Sequence, residues 1–230
     1  REAATGRGAN YVLENYLSEV GRQLRGARIA IQGFGNVGSW FARSAHEKGA
    51  LIVAVADDKG GIASDTGLDI PALVSYVANQ STVSGFSGGY KIESDEVFLV
   101  DADVLVPAAI EDAVTEEIAN KIQAGILLEA ANHPTTPEAD RVLNQRGVTV
   151  LPDLLVNAGG VTVSYFEWTQ NLQQFSWSED EVNQQLQLRM ENAYLAVSGK
   201  VASDSVTFRE AAMEIGIERV ARAAYLRGFV

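Results

Sequence analysis

Three glycines lie close together near the start of the chain, in the segment Gly33-Phe34-Gly35-Asn36-Val37-Gly38. The segment follows a short β-branched run that predicts a strand, and it opens a run with the apolar spacing of a helix. In such a turn the first glycine permits the tight bend, the second lets the backbone approach a diphosphate, and the third lets helix and strand pack closely. Free N–H groups at the start of the helix favour an anion there. We therefore predict a dinucleotide site, the alternative being a turn without ligand.

Two acids, Asp57 and Asp58, stand at the end of the second apolar run, about 20 residues beyond the turn. A carboxylate at this place accepts hydrogen bonds from the adenosine ribose hydroxyls and repels a 2′-phosphate. The pair therefore favours NAD over NADP, unless both acids only hold a turn. Lys59 keeps NADP open, because a neighbouring cation can tolerate the additional phosphate.

Groups that could move a proton on a substrate are scarce in this chain. His46 is predicted on the surface of the helix after the turn. His133 follows the fourth predicted strand, where it either touches a ligand or is an ordinary loop residue. None of the lysines lies in the apolar or glycine-rich setting that a catalytic base needs; they are Lys48, Lys59, Lys91, Lys121 and Lys200. We predict no catalytic residue and no metal site in this chain.

The composition narrows the class of protein. The 230 residues carry a formal net charge of −12, which disfavours nucleic acid and anionic membranes as partners. There is no cysteine, so thiolate catalysis, disulfides and zinc-thiolate sites are excluded for this chain. No apolar run approaches the roughly 20 residues of a membrane span, and no signal peptide is visible. A cytoplasmic protein is expected.

Strand and helix patterns alternate five times, which predicts an α/β fold with a doubly wound, Rossmann-type, mostly parallel sheet. We expect a single dinucleotide-binding domain over 1–230, with its core at about 26–157, an N-terminal helix and a C-terminal helical layer. The predicted strands are Arg28–Gln32, Leu51–Ala56, Asp103–Val106, Ile126–Glu129 and Val148–Leu151. The predicted helices are Ala9–Leu24, Val37–Lys48, Asp69–Asn79, Thr115–Gln123, one starting at Pro137, Ser178–Ser198 and Thr207–Leu226.

Three further segments, together with the glycine turn, resemble the cofactor domain of the glutamate dehydrogenase family. They are Ala4–Gly8, Leu105–Ile110 with its continuations Thr115–Ile122 and Glu129–Ala139, and Pro152–Trp168, of which the last is the most specific. The resemblance runs from Arg1 to Phe229. It implies reversible oxidation of L-glutamate to 2-oxoglutarate and ammonia with NAD or NADP. Two residues depart from the family pattern: Ala130 replaces a usual glycine, and His133 replaces a small residue.

The resemblance also implies roles for residues around the cofactor. Thr5 would bond the nicotinamide carboxamide, and the backbone of Ala108 and Ala109 would line the nicotinamide ribose site. Asn132 would reach the same ribose. Asn157 would bridge cofactor and substrate from a strand-to-helix turn, the alternative being an asparagine that only holds that turn.

Substrate contacts are implied for Asn157, Val161 and Ser164, with Ser164 binding the distal carboxylate of glutamate. Relatives that act on branched-chain or aromatic amino acids are expected to have an apolar residue at that position. The chain could therefore belong to a dehydrogenase of either kind, and Ser164 favours glutamate.

The full enzyme of this family has an earlier substrate domain with a catalytic lysine in a glycine-rich loop and a proton-shuttling aspartate. Neither motif is present here, and the chain opens at Arg1 without methionine. We therefore expect the second domain of a longer enzyme, inactive alone, whose partners are an amino-acid substrate, the missing N-terminal domain and further copies in a homo-oligomer, a hexamer by resemblance. The alternative is a non-catalytic dinucleotide-sensing module.

Overall fold

The computed structural model describes residues 1–228; Phe229, which the resemblance includes, and Val230 lie outside the described residues. Seven strands form one sheet in the order β4-β3-β2-β1-β5-β6-β7. The strands are β1 (Arg28–Gln32), β2 (Leu51–Asp57), β3 (Gly60–Ala63), β4 (Tyr90–Ile92), β5 (Val104–Pro107), β6 (Ile126–Leu128) and β7 (Thr149–Leu151). Strands β2, β1, β5, β6 and β7 pair in parallel, which confirms the predicted mostly parallel α/β sheet.

Both faces of the sheet are covered, as alternate residues of its central strands demonstrate. Ile29 and Ile31 of β1 lie in a core under the helices on one face, whereas Ala30 lies in a second core on the other face. Successive side chains of a strand point to opposite faces, so a strand buried on both sides reads as a continuous apolar run. The central strand β1 has β2 on one side and β5 on the other. Ligands bind at the carboxyl ends of strands where the strand order reverses in this way.

The helices connect and cover these strands. They are α1 (Ala4–Glu19), α2 (Asn36–Glu47), α3 (Ile70–Gln80), α4 (Glu116–Lys121), α5 (Pro137–Gln145), α6 (Asp153–Val156), α7 (Ala158–Gln173), α8 (Glu179–Asp204) and α9 (Phe208–Leu226), with a 3-10 helix at Ser94–Leu99. Thr115 and Thr136 cap α4 and α5, and each accepts a hydrogen bond from a backbone N–H of the first helical turn.

The edge of the sheet beyond β2 contains two antiparallel strands that were not predicted. β3 pairs with β2, and β4 pairs with β3. β3 begins Gly60-Gly61 and is only four residues long, so it carries neither strand propensity nor alternation. It is a strand because β2 offers it a partner. A side chain at Gly61 would also collide, since its Cβ would lie 2.7 Å from a side-chain carbon of Ile92.

The predicted bounds of the first helix were wrong. We expected Ala9–Leu24, whereas α1 covers Ala4–Glu19. Gly6 and Gly8 lie inside the helix, where neighbouring backbone approaches both of them closely. Gly21 lies two residues beyond the end of α1, and its φ of 71° permits the N–H of Arg22 to bond the carbonyl of Leu17, 2.7 Å away.

The C-terminal layer is helical, and within residues 1–228 it contains no strand. Ser178 and Glu181 form a capping box at the start of α8, in which the side chain of each accepts a hydrogen bond from the other's backbone N–H. α8 continues to Asp204 rather than Ser198, and Ser205 ends it in the left-handed region. None of the helices in the described part is both long and apolar enough to span a membrane.

Candidate functional site

The three glycines of the turn have three different surroundings. Gly33 has a φ of 97°, and a Cβ there would lie 2.7 Å from the Cβ of Ala109. A Cβ at Gly38 would collide with the carbonyl oxygen of Gly33. A Cβ at Gly35, by contrast, would meet no atom within 4 Å. The first and third glycines therefore fit the bend and the strand–helix contact, while the second borders free space, as the predicted diphosphate site requires.

The start of α2 offers backbone donors to that space. The first hydrogen bond of the helix runs from the N–H of Ser39 to the carbonyl of Gly35, over 3.0 Å. The N–H groups of residues 36–38 precede it and have no partner inside the helix. They form an anion-binding terminus that the helix dipole reinforces.

A narrow cleft of about 520 Å³ extends from the turn along the carboxyl ends of β1 and β2. We call it the narrow cleft; it is lined by residues 32–37, 56–58, 94, 95, 98 and 108–110. Three of the lining side chains are carboxylates, Asp57, Asp58 and Asp95, and none is a cation. Lys59 is not among the lining residues, and its ammonium lies 3.5 Å from the carbonyl oxygen of Ser81.

The two predicted selector acids have different environments. Asp57 accepts hydrogen bonds from the backbone N–H of Lys59 (2.9 Å) and of Val83 (2.7 Å), one on each carboxylate oxygen. Asp58 is exposed beside it. Asp57 therefore shapes the loop as well as lining the cleft, whereas the Asp58 carboxylate faces solvent.

A wider cleft of about 900 Å³ continues on the other side of the turn, across the ends of β5 and β6. This wide cleft shares Val37 and residues 108–110 with the narrow cleft. It brings together Thr5, Ala108, Ala109, Asn132, Asn157 and Val161, all predicted as site residues. The Nδ2 of Asn157 donates to the Oδ1 of Asn132 over 2.7 Å, so two of the predicted polar groups already contact each other.

Thr5 reaches the wide cleft through a close crossing of α1 and α7. A Cβ at Gly8 would lie 3.0 Å from the Cα of Gly159, so the two helices touch backbone to backbone. A Cβ at Gly160 would lie 2.5 Å from the Oγ1 of Thr5. The glycines at 8, 159 and 160 therefore permit the contact that sets Thr5 opposite Asn157.

Two predicted placements differ in the structure. Asn157 ends α6 and precedes α7, so it lies between two helices rather than in a strand-to-helix turn. α6 intervenes because Pro152, Asp153 and the following apolar residues start a helical turn directly after β7. Ser164 lies outside the lining of the wide cleft, three residues beyond the exposed Val161. Its hydroxyl donates to the carbonyl of Gly160 over 3.0 Å.

A buried charge cluster behind the wide cleft was not predicted. Glu129 is fully buried, and its carboxylate accepts two hydrogen bonds from Arg209 of α9, over 2.7 and 3.0 Å. Arg209 also donates to Asp140. Burial opposes the charge of Arg209, but the hydrogen bonds to these two carboxylates outweigh it and raise the pKa of the guanidinium. A lone glutamate within the apolar segment around Leu128 was a signal for such a partner, since a buried carboxylate needs one.

Neither His46 nor His133 lines the narrow or the wide cleft. His46 is in the last turn of α2. His133 is exposed, with its Nδ1 3.3 Å from a carboxylate oxygen of Asp112, and it is not among the residues that line the wide cleft. Its φ of 44° explains why a small residue suits this position. Within the described residues, no group of His, Asp and Glu side chains is arranged to hold a metal ion.

Comparison with known proteins agrees with this architecture. The sequence profile of the glutamate/leucine/phenylalanine/valine dehydrogenases matches residues 1–228. The catabolic NAD-specific glutamate dehydrogenase RocG of Bacillus subtilis is 43% identical over all 230 residues, which cover 54% of that protein. The hetero-hexameric glutamate dehydrogenase of Thermus thermophilus, in a Leu-bound form, superposes with a TM-score of 0.93 at 36% identity, over 99% of this chain and 54% of that one.

A second solved structure gives the same proportions. The glutamate dehydrogenase of Peptoniphilus asaccharolyticus has a TM-score of 0.85 at 34% identity, over 100% of this chain and 54% of that one. The chain thus spans about half the length of the relatives it matches. By its sequence and by its fold, the chain belongs to the glutamate/leucine/phenylalanine/valine dehydrogenase family.

Proposed function

We propose that this chain is the NAD-binding domain of a glutamate dehydrogenase, which converts L-glutamate to 2-oxoglutarate and ammonia. The observation that carries the proposal is the pair of connected clefts, with a helix terminus between them and the residues Thr5, Asn132 and Asn157 on the far side. NAD fits this arrangement because the space beside Gly35 is open where a diphosphate would lie on α2. When bound, NAD supplies the hydride acceptor.

The chain's own residues would bind and orient the two reactants. The N–H groups of residues 36–38 would hold the diphosphate, and Thr5 and Asn132 would fix the nicotinamide end in the wide cleft. Asn157 would touch both cofactor and substrate. We propose that the whole of 1–230 is one dinucleotide-binding domain, and that the groups that move protons belong to a separate substrate domain of the full-length protein.

The test of this function is turnover by the full-length protein. We expect NAD-dependent oxidation of L-glutamate, followed by absorbance of the reduced cofactor, and much slower oxidation of leucine or phenylalanine. Efficient turnover of leucine or phenylalanine without glutamate would refute the substrate assignment. Binding of NAD without turnover of any amino acid would support a dinucleotide-sensing module instead.

The carboxylates of the narrow cleft favour NAD over NADP as its ligand. A 2′-phosphate would lie near Asp57, Asp58 and Asp95, with no cation among the lining side chains. Like charges at about 4 Å repel by roughly 1 kcal/mol in water and by more in a cleft. RocG, a relative, is named as NAD-specific.

Replacing Asp58 with serine is expected to narrow the preference for NAD over NADP by roughly tenfold, because one repelling charge is removed. The dissociation constants of both cofactors, measured by fluorescence titration, check this. Asp57 is the poorer choice, since its loss also frees the backbone N–H groups of Lys59 and Val83. Asp65→Asn is the matched control, because it removes the same charge outside the lining of the narrow cleft. Equal affinities in the unaltered protein, or an equal effect of Asp65→Asn, would contradict the assignment.

Ser164 supports glutamate as the substrate. Without substrate, its hydroxyl donates to the carbonyl of Gly160. Rotation about the Cα–Cβ bond would let it donate to the distal carboxylate of a bound glutamate instead. Replacing Ser164 with valine is expected to lower kcat/KM for glutamate about 10- to 100-fold, chiefly through KM, because a hydrogen bond to a charged group is lost. Turnover of leucine should rise or stay constant.

Thr162→Val provides the control for the serine variant. Thr162 lies on the same helix and also donates to a carbonyl one turn back, that of Ala158, over 2.8 Å. Neither residue lines the wide cleft, but Ser164 lies one helical turn beyond the lining residue Gly160, whereas Thr162 lies on a different face of α7. Unchanged glutamate kinetics in Ser164→Val, or the same loss in Thr162→Val, would remove Ser164 from the substrate site.

We also propose that the full-length protein is a cytoplasmic homo-oligomer. Large apolar side chains are exposed along α7 and α9, including Tyr165, Trp168, Ile217 and Val220. Exposed apolar stripes of this kind support surfaces that further domains or copies cover. The Thermus thermophilus relative is described as hetero-hexameric. Light scattering of the purified protein would give the number of copies.

A further inference from the structure

The charge cluster around Arg209 is connected to the wide cleft by a short series of hydrogen bonds. Glu129, which Arg209 binds, directly follows β6 and begins the segment 129–133, which contains Asn132. The Oε2 of Glu129 also accepts a hydrogen bond from the backbone N–H of Asp153, over 3.0 Å. Glu129 thus joins the last helix of the chain to the start of a cleft-lining segment.

Asp153 anchors the far end of the same segment. Its Oδ2 accepts the backbone N–H of His133, the residue after Asn132, over 2.8 Å. Its Oδ1 lies 3.9 Å from Arg209 and accepts the N–H of Leu154. The carbonyl of Asp153 also accepts the N–H of Asn157 over 3.0 Å. Arg209 therefore faces the carboxylates of Glu129 and Asp153, which lie at the two ends of the segment 129–133. Asp153 also holds Asn157, through its backbone carbonyl.

The cluster is shielded enough to act as a rigid support. The side-chain exposures of Arg209, Asp153 and Asp140 are 24%, 17% and 21%, and Glu129 is fully buried. Removing the cation would leave the carboxylates of Glu129, Asp140 and Asp153 close together without compensation, and they would separate. Such a movement would shift Asn132 and Asn157 but not the glycine turn, which the cluster does not contact.

We propose that Arg209 is a positioning residue for the nicotinamide end of the cofactor, acting through Glu129 and Asp153 on Asn132 and Asn157. The inference rests on the proposed function. It assigns a role in cofactor affinity to a residue of the C-terminal helix that does not line either cleft.

The test compares two ligands in the full-length protein. NAD would span both clefts, whereas ADP would occupy only the narrow cleft and the turn. Arg209→Gln is expected to weaken NAD binding roughly tenfold, a common cost of loosening the outer shell of a site, while the affinity for ADP changes less than about twofold. Circular dichroism reports whether each variant is folded.

Asp153→Asn is the second variant, and it tests the positioning role if Arg209→Gln does not fold. It keeps a carbonyl oxygen for Leu154 but replaces the acceptor of the His133 N–H by an amide donor, so the same selective loss of NAD affinity is expected. Lys200→Gln is the control, because Lys200 of α8 forms an ion pair with Glu214 of α9 and lines neither cleft. It should change neither affinity.

Three results would overturn the proposal: equal losses of NAD and ADP affinity, unchanged NAD affinity in folded Arg209→Gln and Asp153→Asn, or the same selective loss in Lys200→Gln. An unaltered protein that binds NAD no more tightly than ADP would overturn the proposed function, and this inference with it.

Discussion

Replacing Gly35 with alanine is expected to lower the affinity for NAD by roughly 100-fold and the stability of the protein by no more than about 1 kcal/mol. The added methyl group meets no protein atom within 4 Å, and the expected cost in stability arises because Gly35 is the N-cap of α2, where alanine is less favourable than glycine. The methyl group would nevertheless occupy the space where the diphosphate must approach the N–H groups of α2. Isothermal titration with NAD, together with thermal denaturation, measures both effects.

Gly125→Ala is the matched control for this experiment. A Cβ at Gly125 also meets no atom within 4 Å, but this glycine precedes the amino end of β6, whereas the clefts lie at the carboxyl ends of the strands. Gly125→Ala should leave NAD affinity unchanged. If the Gly35→Ala protein bound NAD as tightly as the unaltered protein, the diphosphate would not lie on this turn, and the proposed cofactor site would be wrong.

The second large effect is expected at the crossing of α1 and α7. Replacing Gly159 with alanine should destabilise the protein by about 1–3 kcal/mol, because the new Cβ collides with the carbonyl oxygen of Ala4 and with the Cα of Gly8. Backbone atoms cannot yield as a flexible side chain does, so α1 must move away from α7. Because Thr5 lies on that part of α1, NAD affinity should fall together with the melting temperature.

Gly199→Ala is the control for the crossing. Gly199 lies inside α8, and a Cβ there meets nothing within 4 Å. Alanine should therefore stabilise the helix by about 1 kcal/mol. Opposite shifts of the melting temperature in the two variants would support the crossing. A Gly159→Ala protein as stable as its parent would contradict it.

The parts of the fold that were predictable from sequence depend on local signals. The glycine turn, the five apolar strands and the capping box at Ser178 can each be recognised from the types and spacing of a few neighbouring residues. The edge strand β3 does not, because its pairing with β2 decides its conformation. The predicted first helix starts at Ala9 and leaves out Gly6 and Gly8, whereas α1 includes both. From sequence alone, a glycine that ends a helix cannot be distinguished from one that permits a close helix crossing, because the crossing helix is not known.

The candidate site divides along the same line. Residues of the turn and Asp57 follow from the chemistry of dinucleotide binding, whereas Thr5, Asn132 and Asn157 were indicated only by resemblance to a family. No pattern in the neighbouring sequence indicates that these three residues share a cleft. Arg209 was missed altogether, because its partner Glu129 lies 80 residues earlier in the chain.

The crossing of α1 and α7 also determines when the site can form during synthesis. The first helix meets elements that the ribosome has yet to make; the hydrogen bond from Tyr194 to Glu19, for example, joins residues 175 positions apart. At about 5–20 residues per second, α1 would wait on the order of 10 s for these partners. Until then α1 can pack against α2, but the side of α1 that α7 and α8 cover stays exposed. Folding should accordingly be slow and dominated by non-local contacts, with the nascent first helix a natural substrate for chaperones.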